Sequence, residues 1–387
     1  MKRYLGTTGI SFLILCVCMA CTSTSGVASE SQEMQEILSD KGVGDSDLIR
    51  ILSEVRKLHN VPAMAAALVT DQGLQKVAAV GTRKWGTDIP VTLNDMWHLG
   101  SDTKIMTSTL VAILVEQEKL KWTTTVSEVF PELADSFHPD FRNVNLLQLL
   151  SHMAGLPANL DFGSISGLGS VRDQRIEVVR RGLREKPLST PGTKYLYSNV
   201  GYIIVGAMIE RVTNMAWETA ITQQVFTPLK MTSAGFGGLG TVGMIDQPWG
   251  HTTARKPVMR NGPKVDNLPV MGPAGRVHCT IQDWALFIED QLCGARGEPA
   301  LLKPESYQML QDPHFDGDYA LGWTVVYRKW ADGMAFTHAG SNTMYFALAW
   351  VAPKKNYAIL VCTNEGPDSF KAADEAVSKI IEIAEMH

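Results

Sequence analysis

Ser101-Asp102-Thr103-Lys104 sets a hydroxyl and an amine three residues apart, which on a helix is one face and one turn. In that geometry an amine can take a proton from a hydroxyl. The structural alternative is that Ser101 caps a helix. A cap favours Glu or Gln three residues on, and that place holds Lys104. A charged lysine there faces the positive end of the helix dipole, at a cost of about 0.3–1 kcal/mol. The cost falls if the amine is buried and neutral, because desolvation lowers its pKa. The placement is poor for stability and good for making a base.

Two further groups could complete such a site. Tyr197-Ser198-Asn199 precedes an apolar helical run. Its phenol and amide would supply a proton shuttle and a donor to a substrate carbonyl; the structural alternative is a core tyrosine, with Asn199 as a helix cap. His338-Ala339-Gly340-Ser341 ends a strand-like run. Gly340 would let a substrate approach the strand edge. The backbone N–H groups of Ser101 and Ser341 would then form an oxyanion hole. The alternative for His338 is a structural or exposed strand-end residue.

The elements that must position these groups follow from hydrophobic spacing. A strand-like run over 96–100 breaks at Ser101 into an apolar helix running to about Leu120, with Met106, Leu110, Ile113 and Leu114 inside. Helical spacing also marks 45–59, stopped by Asn60-Val61-Pro62. Runs over 63–69 and 74–80 flank Asp71-Gln72-Gly73 as a hairpin. A helical, loop-rich stretch follows to about Pro313, with helices over 144–152, 175–183, 199–213 and 280–293. Strand signals return over 319–327, 334–337, 344–351 and 357–362, and 368–386 closes the chain as a helix. Strands at both ends around a helical middle give an α+β fold, one antiparallel sheet built from both chain ends and flanked by helices. The sheet lobe would take about 43–100 and 318–387, and the helical insertion lobe about 101–317. A cleft between such lobes is a favoured place for a small ligand.

The chain has 387 residues, 45% hydrophobic and 19% charged, enough for one large two-lobed domain, with a formal charge of −5. No basic stripe exists, so nucleic acid is not expected as a partner. Lys2 and Arg3 followed by an apolar 10–20 read as a signal peptide over 1–20, too short for a transmembrane helix. Ala20-Cys21 suggests cleavage with lipid on Cys21 and a membrane tether through it; ordinary signal-peptidase cleavage is the alternative. Residues 21–42 would be a linker, and the protein an exported one of the periplasm or cell envelope. Of six cysteines, Cys279, Cys293 and Cys362 remain once the leader and Cys21 are set aside, and they read as small buried hydrophobes. The nine histidines lie singly, so no metal and no cofactor is expected. No Gly-x-Ser-x-Gly occurs, which disfavours a Ser-His-Asp esterase.

Ser101-x-x-Lys104, Tyr197-x-Asn199 and His338-x-Gly340, in that order, resemble the motifs of the penicillin-recognising serine hydrolases. That family includes class C β-lactamases, D-Ala-D-Ala carboxypeptidases and β-lactamase-like esterases. The stretches 149–157, Pro273-Ala274-Gly275 and Leu321-Gly322-Trp323 agree, so the resemblance covers essentially everything from Asp45 onward. It implies a β-lactamase/transpeptidase-like αβα sandwich. It makes Ser101 the acylated nucleophile and Lys104 its base, alone or shared with Tyr197. Asn199 would hold the substrate carbonyl or orient Lys104, and the N–H groups of Ser101 and Ser341 would bind the oxyanion. His338 stands where many members carry the lysine of a Lys-Thr-Gly triad. His338 and Ala339 lack the permanent cation and hydroxyl that grip a substrate carboxylate. A small-molecule or peptide acyl substrate is therefore expected in the order ester, D-amino-acyl peptide, β-lactam, with Tyr319, Trp323 and the 159–170 loop as candidate walls. The reading from another class is a non-catalytic cell-wall or ligand-binding module keeping the fold. The oligomeric state is left open.

Overall fold

The computed structural model describes residues 42–259 and 265–385. The expected signal peptide, Cys21 and nearly all of the linker lie outside the described residues.

Strands from both chain ends meet in one sheet. Its members are β1 (Val43–Gly44), β2 (Ala63–Thr70), β3 (Gly73–Gly81), β6 (Thr324–Arg328), β7 (Gly333–Ser341), β8 (Phe346–Ala352) and β9 (Tyr357–Thr363). They lie in the order β1-β3-β2-β9-β8-β7-β6, every neighbouring pair antiparallel. Two shorter strands, β4 (Met96–His98) and β5 (Val277–Thr280), pair apart from it, with Trp97 opposite Cys279.

Both faces of the sheet are covered, so its central strands are apolar throughout rather than alternating. On one face Met64, Ala66, Leu348, Ile359 and Val361 pack with α1 (Ser46–His59) and α6 (Phe370–Ala384). On the other, Ala65, Ala67, Ala349, Leu360 and Cys362 join a larger core shared with the central helices, beside α5 (Ile281–Ala295). The alanines of β2 are weak strand formers; burial between two layers outweighs that preference. Helix α1 starts where Asp45 accepts from the Asp47 and Leu48 amides and ends at Asn60 in the left-handed region, φ 56°. Cys279, Cys293 and Cys362 are free and buried.

Several elements differ from the sequence expectation, each for a local reason. The helix expected from Ser101 begins as a 3₁₀ turn, Gly100–Asp102, and becomes α2 only at Thr103–Glu116. It stops short of Leu120 because Glu118 turns left-handed, φ 58°. Helix α2 is buried on every side from Thr103 to Leu114, which makes it a central helix of the core. Helix α3 (Val171–Gly182) starts earlier than expected, at a capping box between Ser170 and Asp173. Residues 319–323 form a tight loop around Gly322 (φ 101°), so β6 begins only at Thr324. Strand β7 runs on to Ser341 because β8 pairs with it that far, and His338 lies inside the strand rather than at its end.

Candidate active site

Two glycines bring the nucleophile turn and β7 into backbone contact. Leu99 is tied to β5 by its N–H to Val277 O at 2.9 Å. Gly100 then takes φ 51°, and a Cβ there would lie 2.3 Å from Ser341 N. From the other side, a Cβ on Gly340 would lie 2.0 Å from Leu99 O and 2.7 Å from Ser101 N. No other residue fits either place. The Ser101 and Ser341 amides therefore flank one close contact between the nucleophile turn and β7. The Ser101 amide opens the first turn, where a helix supplies no internal acceptor.

One turn on, Lys104 is wholly enclosed. Its Nζ lies 3.0 Å from Ser101 Oγ, 2.8 Å from Asn199 Oδ1 and 2.7 Å from Ala274 O. Burial pulls its pKa from 10.5 down to about 7, although Asp102 pulls the other way. An amine so placed offers a lone pair near neutral pH. Tyr197 O–H donates to Ser101 Oγ at 2.7 Å. Burial pushes that phenol up to about 12, so it stays a donor in the resting site.

Asn199 opens α4 (Asn199–Thr213), and the cap is its neighbour. Ser198 Oγ accepts from the Gly201 amide at 3.1 Å and donates to Pro157 O at 2.6 Å. That corrects the capping alternative for Asn199 and leaves its amide free to bridge Lys104 and Asn159 Oδ1, 2.9 Å away. His338 is buried and faces the nucleophile turn. Its Nδ1 lies 3.1 Å from Asp102 Oδ1 and its Nε2 3.3 Å from Tyr319 OH. Both ring nitrogens thus have a polar partner, one from the nucleophile turn and one from the loop before β6. Burial, then the charge of Lys104, pushes His338 down to about 3, so the ring is neutral.

Ser101, Lys104, Tyr197, Asn199, His338, Gly340 and Ser341 thus come together at one point. A cleft of ≈ 570 Å³ opens beside them, walled by Tyr195, Tyr197, Tyr319, Ala339 and Trp350. Strand β6 pairs with β7 only as far as Thr337, so the edge of β7 from His338 onward faces away from any described strand. Trp323, expected as a wall, is instead fully buried and packs on Phe336. Sequence reasoning assigned no role to His152, Asp102 or the Ala274 carbonyl. His152 packs its ring 4.4 Å from that of Tyr197 and accepts the Ser198 N–H at Nδ1, 3.0 Å. The position of Ala274 inside the Pro273-Ala274-Gly275 stretch, and that of His152 inside 149–157, carried the available signal. Among the described residues no three His, Cys, Asp or Glu side chains gather as a metal site would require.

A hydroxyl touched by a phenol and by an amine whose pKa is drawn down to about 7, with the Ser101 and Ser341 amides close by, has the groups needed to attack a carbonyl and hold the resulting oxyanion. The fold and this constellation place the chain among serine hydrolases. The β-lactamase family model matches residues 48–381, and the chain belongs to that family. Penicillin-binding protein 4 of Amycolatopsis lactamdurans is 27% identical over 336 residues, 81% of this chain and 83% of that protein. A class C β-lactamase from Rhodobacter sphaeroides superposes with a TM-score of 0.71 at 18% identity, over 88% of this chain and 99% of that one. A D-alanine carboxypeptidase from Burkholderia cenocepacia gives 0.68 at 20% identity, over 90% and 99%. At these identities the two structures speak for the fold.

Proposed function

We propose that the protein is an exported hydrolase that cleaves carboxylic esters through an acyl-enzyme on Ser101. The observation carrying this reading is the convergence of Lys104 Nζ and Tyr197 OH on Ser101 Oγ, at 3.0 and 2.7 Å. Lys104 takes the hydroxyl proton as Oγ bonds to the substrate carbonyl carbon. The Ser101 and Ser341 amides receive the oxyanion. As the tetrahedral species collapses, the carbon–oxygen bond to the leaving group breaks and Tyr197 protonates that oxygen, recovering its proton from Lys104. Water then attacks the acyl carbon with the same groups as base, releasing the acid and restoring Ser101. Asn199 holds Lys104 in place throughout.

The preference for esters rests on what stands at the third motif. His338 is neutral, Ala339 has no hydroxyl, and the guanidinium of nearby Arg328 lies over the Trp350 ring, 5.3 Å from its centre. A substrate carboxylate gains little there, while an apolar acyl or alcohol group fits the aromatic walls. D-Amino-acyl peptides rank second and β-lactams third. Export, and a tether through lipid on Cys21, rest on the leader; among the described residues no helix is long and apolar enough to cross a membrane. The intact Ser101, Lys104 and Tyr197 geometry argues against a binding module that merely keeps the fold.

Labelling with a fluorophosphonate followed by peptide mass spectrometry tests the nucleophile, with the adduct expected on Ser101 and lost in Ser101→Ala. Folded protein with no adduct would refute the enzyme reading. A p-nitrophenyl ester, a D-Ala-D-Ala peptide and a cephalosporin at equal concentration test the ranking.

A further inference from the structure

Asp266 touches no reacting group, yet its carboxylate reaches both sides of the Gly100–Gly340 contact. Its side chain is 3% exposed. On the nucleophile side, His98 Nδ1 accepts the Gly100 N–H at 3.0 Å, which assigns the ring proton to Nε2. That nitrogen lies 2.8 Å from Asp266 Oδ1, off the ideal N–H direction. On the other side, Asn342 Nδ2 donates to the same oxygen at 3.1 Å. Asn342 follows Ser341 directly, and its Oδ1 accepts the Met344 and Tyr345 amides at 3.2 and 3.1 Å. Arg276 Nε meets Oδ2 at 3.1 Å.

We propose that Asp266 is a positioning residue that sets the separation of the Ser101 and Ser341 amides, and so the shape of the oxyanion hole. The proposal rests on the reading of Ser101 as nucleophile. A single carboxylate oxygen holds the turn before one donor and the turn after the other. Such an outside hold is needed because Gly100, without a Cβ, has little conformational preference of its own. An oxyanion is stabilised only by donors within a narrow distance, about 2.7–3.1 Å. A carboxylate suits the task, since it accepts from several donors at once. Burial opposes its charge, but His98 and Arg276 more than offset this and hold its pKa below the usual range.

The test compares a p-nitrophenyl ester with its thiono analogue, in which sulfur replaces the carbonyl oxygen, on the full chain and two variants. Sulfur fits an oxyanion hole badly, so a well-formed hole gives a large ester-to-thionoester ratio. Asp266→Asn is expected to lower kcat on the ester at least about tenfold, below the full cost of losing one donor. KM should stay unchanged and the ratio should shrink. Asn342→Ala cuts only one arm and should move the ratio the same way by less. If Asp266→Asn does not fold, Asn342→Ala decides. Wild-type kcat and ratio in a folded variant that still acylates at Ser101 would overturn the proposal alone. Absence of a Ser101 adduct in the wild type would overturn the nucleophile reading and this proposal together.

Discussion

Asp102 Oδ1 and His338 Nδ1 meet at 3.1 Å with both side chains enclosed. The residue beside the nucleophile therefore holds the residue of the third motif. Where a lysine would reach for a substrate carboxylate, this chain has an imidazole turned inward onto a partner of its own. Burial pushes the Asp102 carboxyl well above its usual range and the His338 ring well below its own. Inside the core each group depends on the other for this hydrogen bond.

That dependence is measurable. Removing one member of a buried polar pair strands the other, whereas removing both strands neither. Asp102→Ala and His338→Ala should each destabilise the protein, and the sum of the single costs should exceed the cost of the double variant. The excess should fall at about 0.5–3 kcal/mol, the range for groups in one hydrogen-bonded unit. Denaturant unfolding of the four proteins gives the number. An excess near zero would mean that the contact carries no coupling.

Lys104 sets the pH dependence of acylation. With a pKa of about 7, its neutral form grows as pH rises, so the single-turnover acylation rate should climb to a plateau with its midpoint near there. Asn199→Asp would put a carboxylate where Oδ1 now lies 2.8 Å from Nζ. An opposite charge favours the ammonium, so the midpoint should move up and the rate at pH 7 should fall. A midpoint that stays in place in Asn199→Asp would assign the titration to another group. Stability has its own sign. The folded value lies below the 10.5 of the exposed amine, so the unfolded chain binds more protons between about pH 7 and 10.5. The contribution of Lys104 is present above that window and lost as pH falls through about 7. Lys104→Met should accordingly gain in melting temperature relative to wild type as pH is lowered across it.

What was legible in the chain were features that depend on neighbours in sequence. The apolar run after Asn199 forms α4 over Asn199–Thr213, as its spacing requires. The strand runs at both ends do share one sheet. The unfavourable place of Lys104 in its helix was also visible, and the structure relieves it by a 3₁₀ entry and complete burial of the amine. Features made through space were not legible. Asp102 was only a spacer between Ser101 and Lys104 until the register of β7 brought His338 to it. His152 lies far from Tyr197 in sequence, and Ala274 contributes a carbonyl that its side-chain identity cannot announce. Trp323 looked like a wall because aromatic type alone does not tell cleft from core.

Gly340 carries the tightest steric requirement of the site, and it makes a direct prediction. Its neighbours in the nucleophile turn are backbone atoms, Leu99 O and the amides of Ser101 and Asp102, which no rotamer change can move aside. An added Cβ must push β7 and the nucleophile turn apart. The Ser101 and Ser341 amides would then separate by an appreciable part of an ångström. Misplacing catalytic groups by about 1 Å costs on the order of a hundredfold in rate. Gly340→Ala should therefore lower kcat by about that factor. It should also destabilise the fold by roughly 1–3 kcal/mol, the usual cost of overpacking. Ala339, one residue earlier, is exposed on the opposite face of β7. Ala339→Ser should leave the melting temperature close to wild type. If Gly340→Ala melts and turns over like the wild type, the two backbones are not held in the contact described, and the oxyanion hole would need donors other than these two amides.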